Sequence, residues 1–246
     1  MSEEPRDPID AARAKRALPK RFYTQAAALP VDGGFAVALD ARIAKTPAGK
    51  GLTVESLALA TALAAEWQAQ TEVIDPGSMP LTRLLNAALD RVAGEMAAVR
   101  TDIVAYAGSD LICYRADGPQ ALVEEQEAAW GPIVRWAGDA LGARFRLAEG
   151  VMPLTQEPAA IEAIGKAIEP FDALGLAALH TATTLTGSAI LALALAGGRL
   201  SVAEAWTAAH VDEDWQMSQW GVDEVAMARR EGRFRDIEAA ALILRG

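Results

Sequence analysis

Three consecutive acids adjoin two tryptophans in the stretch HVDEDWQMSQWG, residues 210–221. At helical spacing, one stripe collects five side chains: Trp206, His210, Glu213, Met217 and Trp220. Asp212 and Asp214 fall off that stripe, whereas Glu213 lies in the middle of it. Burying an unpaired carboxylate is costly. Glu213 must therefore pair with a cation of its own chain, stay at a water-exposed margin or meet a partner molecule.

Other patterns that could carry chemistry are incomplete. The segment PAGKG, residues 47–51, lacks the spacing of a phosphate-binding loop, and it predicts a β-turn. His180 and His210 lie on different predicted helices without metal-ligand spacing, and Cys113 between apolar neighbours predicts a buried thiol. Counting residues leaves a Ser-His-acid triad open, although no nucleophile-elbow motif occurs. We therefore expect no catalytic residue, no metal and no cofactor.

Composition narrows the class of protein. The chain has 246 residues, 52% of them hydrophobic, which is enough for one large or two modest folded domains. Its formal net charge of −10, without a basic aromatic stretch, argues against a nucleic-acid partner. A single cysteine excludes an internal disulfide and favours a reducing compartment, the cytoplasm or, for organellar relatives, the mitochondrial matrix. The first 20 residues read as frayed and as neither a secretory signal nor a transit peptide.

The fold class predicted from the pattern of elements is α+β. FAVALD and RIAKTP predict a β-hairpin that turns at Asp40 and Ala41, LTV predicts a further short strand, and Ser56 begins a helix. Beyond Gly108 nearly all segments predict helices, including one that opens at Ser201 with a capping box and runs through the acidic stretch. We expect a small N-terminal α+β domain at residues 1–95. A larger C-terminal helical bundle follows at 96–246.

One apolar run requires a choice between a membrane span and buried helices. Residues 173–198 contain no Asp, Glu, Lys or Arg, yet a polar belt from His180 to Ser188 interrupts them. Because a span needs about 20 uninterrupted apolar residues, two shorter buried helices broken near TLTGS fit better. We expect no membrane insertion.

Seven segments, in order, resemble one known family. They are KRFY (20–23), LDARIAKTPAGKGL (39–52), ALAAEWQAQ (62–70), SMPLTRLLNAALD (78–90), YAGSDLICYRA (106–116), TGSAILALAL (186–195) and VDEDWQMSQWG (211–221). The family is the assembly chaperone that attends the alpha subunit of the F-type ATP synthase catalytic head. Ala41 and Gly51 depart from the family's pattern at turns.

The resemblance implies a binding protein rather than an enzyme. Such a chaperone holds the free alpha subunit, prevents its aggregation and yields it to the beta subunit without consuming ATP. Its fold is an N-terminal α+β domain followed by a helical bundle, and a monomer is expected. The resemblance also assigns functional importance to Trp67, which we interpret as structural, and to Glu213.

The helical stripe around Glu213 and the family resemblance together suggest a hypothesis about the surface that binds the client. Glu213 anchors a basic group of the client among apolar contacts, and the residues expected to bind the partner are Glu213, Trp206, Met217, Trp220 and Asp212. Two alternatives stay open: a helical small-molecule-binding protein or enzyme with a pocket near residues 180–190, and a helical protein at a membrane surface.

Overall fold

The computed structural model describes residues 18–150 and 152–246, so the predictions for the N-terminal segment before residue 18 lie outside the described residues. It confirms an α+β fold with a helical C-terminal part. The strands are β1 Ala26–Val31, β2 Gly34–Leu39, β3 Arg42–Ile43, β4 Thr53–Val54, β5 Tyr114–Arg115 and β6 Ala148–Glu149. The helices are α1 Leu57–Gln68, α2 Pro80–Ala87, α3 Ala93–Gly108, α4 Gln120–Ala140, α5 Pro158–Ile168, α6 Ala173–Thr186, α7 Ala189–Ala196, α8 Val202–Ala209, α9 Val211–Trp220 and α10 Glu224–Arg245.

The chain forms two compact units. In the described part of the chain, the first unit comprises residues 18–44 and 53–82, and the second comprises 45–52 and 83–246. The sequence places the division at 95/96 instead. The observed division falls inside α2 and assigns the turn at 45–52 to the helical unit.

The first unit is an antiparallel sheet covered by one helix. β2 lies between β1 and β3 and also pairs with β4, and α1 packs on β1 and β2. The predicted hairpin is confirmed, with Asp40 in the left-handed region at φ 54°. Its carboxylate accepts from the amides of Thr24 and Gln25 at 3.0 and 2.9 Å, which holds the turn. At Gly34 a Cβ would lie 2.4 Å from the carbonyl oxygen of Val54, so only glycine fits there.

The predicted start of α1 is set by a side-chain cap. The Ser56 hydroxyl caps α1 by accepting a hydrogen bond from the amide of Leu59, as its position predicts.

The sequence does not predict β1, because AAALPV contains a proline and few β-branched residues. Its cross-strand partners along β2 nevertheless complete the sheet.

The segment PAGKG forms a turn in the second unit. Lys45 pairs with Gly51 as an isolated bridge, and the Lys50 ammonium donates to the carbonyl of Leu89. The Thr46 hydroxyl donates to Asp90 at 2.7 Å. The Gly49 amide donates to the carbonyl oxygen of Thr46 at 2.9 Å, three residues back, which confirms the β-turn interpretation.

The apolar run is two buried helices, as predicted. α6 ends at Gly187 in the left-handed region, φ 67°, and α7 is buried from Ala189 to Leu195. In the described residues, no helix is both long and apolar enough to cross a membrane. α6 packs against α3, α7 and α10, so it forms the centre of the helical unit.

Two buried ionisable groups lie at this centre. The Asp110 carboxylate accepts from the amides of Ile112 and Ile190 at 3.3 and 3.1 Å and is fully buried. Burial raises the pKa of Asp110 to about 7, although hydrogen bonds from Ser188 and backbone amides oppose this shift. Cys113 is buried nearby, and burial raises the pKa of its thiol to about 12, which confirms the interpretation as a structural thiol.

Candidate functional site: an acidic tip on the helical unit

The helix predicted through the acidic stretch is broken at His210, so the prediction of one continuous helix is wrong. His210 has φ −122° and ψ 21° and separates α8 from α9. Its backbone amide donates to Thr207, three residues back, while its Nδ1 lies 2.7 Å from the carbonyl oxygen of Trp206. The imidazole thus takes the carbonyl that an uninterrupted helix would give to the His210 amide. Burial lowers the pKa of His210, so the neutral ring donates this bond near neutral pH.

The break also divides the predicted stripe. Trp206 and His210 are buried and their rings are 4.1 Å apart, whereas Glu213 is exposed and Trp220 is 88% exposed. Met217 is half-buried between these extremes. Glu213 is therefore not embedded between two tryptophans, because the turn at His210 carries α9 off the line of α8.

A groove between α8, α9 and α10 contains a different acid. The groove has a volume of about 520 Å³, and its lining residues are Trp206, Asp214, Met217, Met227, Arg230, Glu231 and Phe234. Trp206 meets Phe234 edge to face, with the ring centroids 5.7 Å apart. We call it the Trp206 groove. The sequence places Asp214 off the apolar stripe, yet Asp214 lines this groove and Glu213 does not.

Asp214 is neutralised within the chain. Arg230 makes a two-pronged ion pair with it, one bond from Nη1 to Oδ1 and a second from Nη2 to Oδ2 at 3.0 Å. The hydrogen bond that Arg230 donates to Asp214 is the main reason that the pKa of Arg230 rises above its usual range. This pair fixes the first turn of α9 against α10.

The three consecutive acids thus have three different environments. Asp212 accepts a hydrogen bond from the Gln126 amide at 2.6 Å, and Asp214 pairs with Arg230. The Glu213 side chain makes no hydrogen bond or ion pair with any residue in 18–150 or 152–246, although its charge acts on His210 and Arg230. It is the acid of this stretch that is free for another molecule.

The loop after α9 adds apolar surface that the sequence analysis missed. Gly221, at φ 94°, ends the helix, and Asp223 caps α10 through the amides of Val225 and Ala226. Val222 and Val225 are 66% and 62% exposed next to Trp220. The sequence signal for this surface is the segment WGVDEV, in which a helix-ending glycine and a capping aspartate bring two valines close to a tryptophan. We call Glu213, Trp220, Val222 and Val225 the acidic tip.

Buried contacts of α4 hold the base of this tip. The indole of Trp130, fully buried, donates from Nε1 to the carbonyl oxygen of Ala208 at 2.6 Å. Gln126 lies one turn earlier on α4. Its Oε1 accepts a hydrogen bond from the Ala116 amide, and its Nε2 donates one to Asp212. α8 and the start of α9 are therefore anchored to the interior through Trp130 and Gln126, while Glu213 and the far end of α9 expose their side chains.

Trp67 lies in the first unit and faces an aromatic neighbour. Its ring meets Tyr23 at 5.8 Å, and the Tyr23 hydroxyl donates to the Trp67 carbonyl oxygen at 2.6 Å. Burial raises the pKa of Tyr23, which keeps that hydroxyl protonated. Arg21 stacks over Tyr23 at 4.7 Å and bonds the carbonyl oxygens of Tyr23, Thr24 and Gln70. The aromatic partner of Trp67 is thus in the segment before β1.

Within the described ranges, no cluster of three or more His, Cys, Asp or Glu side chains could hold a metal ion. The arrangement of the tip offers a charged group and apolar surface to another macromolecule. It is suited to binding.

Known proteins resemble this chain in sequence and in structure. Residues 20–138 match the family model of the ATP12 chaperone protein. A crystal structure of a candidate chaperone from Agrobacterium tumefaciens is 48% identical, with a TM-score of 0.89 over 97% of this chain and 90% of that one. Atp12 from Paracoccus denitrificans is 39% identical, with a TM-score of 0.85 over 92% and 97%. The mitochondrial atp12 protein of Schizosaccharomyces pombe is 23% identical over 214 residues, which cover 82% of this chain and 74% of that protein.

The α+β fold and these similarities define a chaperone of ATP synthase assembly. The chain belongs to the ATP12 chaperone family.

Proposed function

We propose that this chaperone binds the unassembled alpha subunit of the catalytic head of the F-type ATP synthase. It prevents aggregation of that subunit and releases it to the beta subunit without ATP hydrolysis. The protein acts as a monomer in the cytoplasm, and organellar relatives act in the matrix. The observation that supports this proposal is the exposed Glu213 carboxylate on α9, the same helix whose C-terminal end exposes Trp220.

The tip has the composition expected of a reversible binding surface. An unassembled subunit exposes apolar area that would otherwise self-associate. Trp220, Val222 and Val225 supply apolar contact, and a large exposed tryptophan is among the side chains that dominate binding energies. The client covers these side chains and so removes them from water.

Glu213 sets orientation and limits affinity in this proposal. A basic group of the client pairs with the carboxylate, which aligns the two surfaces. Removing both charges from water costs free energy that offsets much of the attraction. The complex therefore stays weak enough for the beta subunit to displace the chaperone from the same client surface.

The other predicted partner-binding residues are partly or fully buried, or are bonded within the chain. Trp206 is 7% exposed and Met217 is half-buried, so they contribute through the Trp206 groove rather than as projecting side chains. Asp212 is held by Gln126 and orients the first turn of α9. We propose direct contact for Glu213 and Trp220, and indirect roles for the other three.

The test is a charge reversal at Glu213 with a matched control. Glu213→Lys is compared with Asp139→Lys. Asp139 is another exposed acid, near the end of α4, whose side chain has no hydrogen bond or ion pair within residues 18–150 and 152–246. Light scattering measures aggregation of isolated alpha subunit, and pull-down measures binding. We expect Glu213→Lys to lose both activities and Asp139→Lys to keep them, with unchanged circular dichroism for both variants. Normal client binding by Glu213→Lys, or its unfolding, would contradict the anchoring role.

Release is tested with the preformed complex. Addition of the beta subunit should free the chaperone without any nucleotide. A requirement for ATP, or a stable complex of all three proteins, would show that the release step is wrong.

A further inference from the structure

A second concave surface lies on the helical unit, between α3 and α6. Its volume is about 550 Å³, within the range of ligand-binding sites. Val92, Ala98, Val99 and Ala177 form apolar parts of its lining, and the small side chains leave the space open. We call it the His180 groove, after the histidine on its α6 side.

Irregular backbone shapes this groove. A π-helical turn, Ala88–Val92, precedes α3, and Glu95 has non-helical dihedral angles, φ −132° and ψ 25°. Such π turns inside helices occur frequently at functional sites. Arg91, Glu95 and Asp102 all line the groove.

The charges of the groove are largely unused by the chain itself. The side chains of Arg91 and Glu95 make no hydrogen bond or ion pair with any other described residue, in 18–150 or in 152–246. Asp102 Oδ2 lies 2.6 Å from His180 Nε2, yet the Asp102 side chain is 57% exposed. Two carboxylates and one guanidinium therefore line a partly apolar concavity, together with an imidazole.

The two carboxylates are spread along α3. Glu95 and Asp102 are seven positions apart along the chain, which corresponds to about 10 Å of helix, and Arg91 lies in the π-helical turn that precedes α3. A compact ligand with one charged group cannot meet both carboxylates at that separation. A helical peptide of about three turns can, because its side chains recur at similar intervals along one face.

We infer that the His180 groove binds a second segment of the client, an amphipathic helix that carries lysine or arginine beside an apolar stripe. This inference rests on the proposed function, because the client is the same alpha subunit. The apolar stripe fills the space over Ala98 and Ala177, and the basic side chains reach Glu95 and Asp102. Two separate contacts on one client raise the overall affinity while each contact stays weak.

The first test fills the groove with a bulky side chain. Ala98→Trp occupies the space, whereas Ala97→Trp places the same side chain on the exposed opposite side of α3, away from the lining residues. Both changes are at exposed positions, so both variants should fold, as circular dichroism will check. We expect Ala98→Trp to weaken binding of isolated alpha subunit about tenfold, and Ala97→Trp to leave it unchanged.

The second test removes charge without changing shape. The double variant Glu95→Gln and Asp102→Asn should also weaken binding about tenfold, and its binding should depend less on salt concentration than that of the parent chain. If Ala98→Trp and the double variant bind the client as the parent does while Glu213→Lys does not, the groove inference is wrong and the proposed function stands. If the parent chain itself does not bind alpha subunit, both the groove inference and the proposed function are wrong.

The same set of variants also tests the alternative that a pocket near residues 180–190 binds a small molecule. A thermal-shift screen with nucleotides and carboxylate or amine metabolites would reveal it. A compound that stabilises the parent chain and Ala97→Trp but not Ala98→Trp would overturn the peptide inference. No stabilisation by any compound, together with client binding lost in Ala98→Trp, supports it.

Discussion

Two regions of the helical unit use the same residue types in opposite ways. In the interior, Asp110 is fully buried and surrounded by donors, and Trp130 is fully buried with its indole bonded to Ala208. At the acidic tip, Glu213 is exposed and Trp220 is 88% exposed. Residue type therefore does not distinguish a stabilising group from one that is free to bind. What distinguishes them is whether the chain itself supplies hydrogen-bond and packing partners for the group.

The largest effect should come from the interior tryptophan. Trp130→Ala removes a buried ring and leaves the Ala208 carbonyl without its donor, so we expect a loss of about 3–5 kcal/mol in the free energy of unfolding. Urea denaturation measures it. Trp130→Phe keeps most of the ring and should lose less. An equal loss in both variants would mean that the hydrogen bond, rather than the packing, dominates.

Trp67 is an intermediate case, since it is half-buried against Tyr23. Trp67→Arg should destabilise the first unit by about 3 kcal/mol, because a charged side chain cannot replace the ring contact. Differential scanning calorimetry measures the shift in melting temperature. A variant with the melting temperature of the parent would place Trp67 with the binding residues instead.

Asp110 makes stability depend on pH. Its pKa, about 7 in the folded chain, exceeds the value near 4 of an unfolded aspartate, so the folded state holds the proton more tightly. Stability from this group is therefore present at low pH and is lost as pH rises from about 4 through 7. We expect the free energy of unfolding to fall by about 2 kcal/mol between pH 5 and pH 8 from this group alone.

The comparison with Asp110→Asn isolates that contribution. His210 acts in the opposite direction, because its lowered pKa makes the folded state bind fewer protons, so its stabilisation is lost on acidification. Both chains contain His210, and the difference between their pH profiles belongs to Asp110. Parallel profiles would show that Asp110 keeps an ordinary pKa.

The smallest effect on stability should come from the tip. Trp220→Ser changes an exposed side chain, so the free energy of unfolding should change by less than about 0.5 kcal/mol. Binding of alpha subunit should nevertheless weaken markedly, which a titration by isothermal calorimetry measures. A substantial loss of stability would mean that Trp220 packs within the chain, and the contrast between the two regions would disappear.

Local signals predicted much of the fold. The hairpin at Asp40, the cap at Ser56, the capping box at Ser201 and the break at Gly187 all appear where the sequence indicates them. Each depends on residues within a few positions of one another. β1 was missed because its pairing with β2, rather than its own composition, makes it a strand.

The candidate site was predicted only in outline. The sequence indicates that residues 206–220 are unusual, and helical periodicity places Glu213 among apolar side chains. Periodicity assumes an unbroken helix, and the imidazole of His210 breaks it by bonding the Trp206 carbonyl. Which acid faces the groove then depends on Arg230, which follows Asp214 by 16 positions.

The sequence by itself determined the family, the α+β class and the beginnings and ends of most elements, since these follow from neighbouring residues. Only the tertiary structure decided which of three adjacent acids is left free, because Gln126 and Arg230 reach Asp212 and Asp214 from other helices. The same reason applies to the pair of His180 and Asp102, which are 78 positions apart. Hydrogen-bond partners brought together by packing have no local signature in the chain.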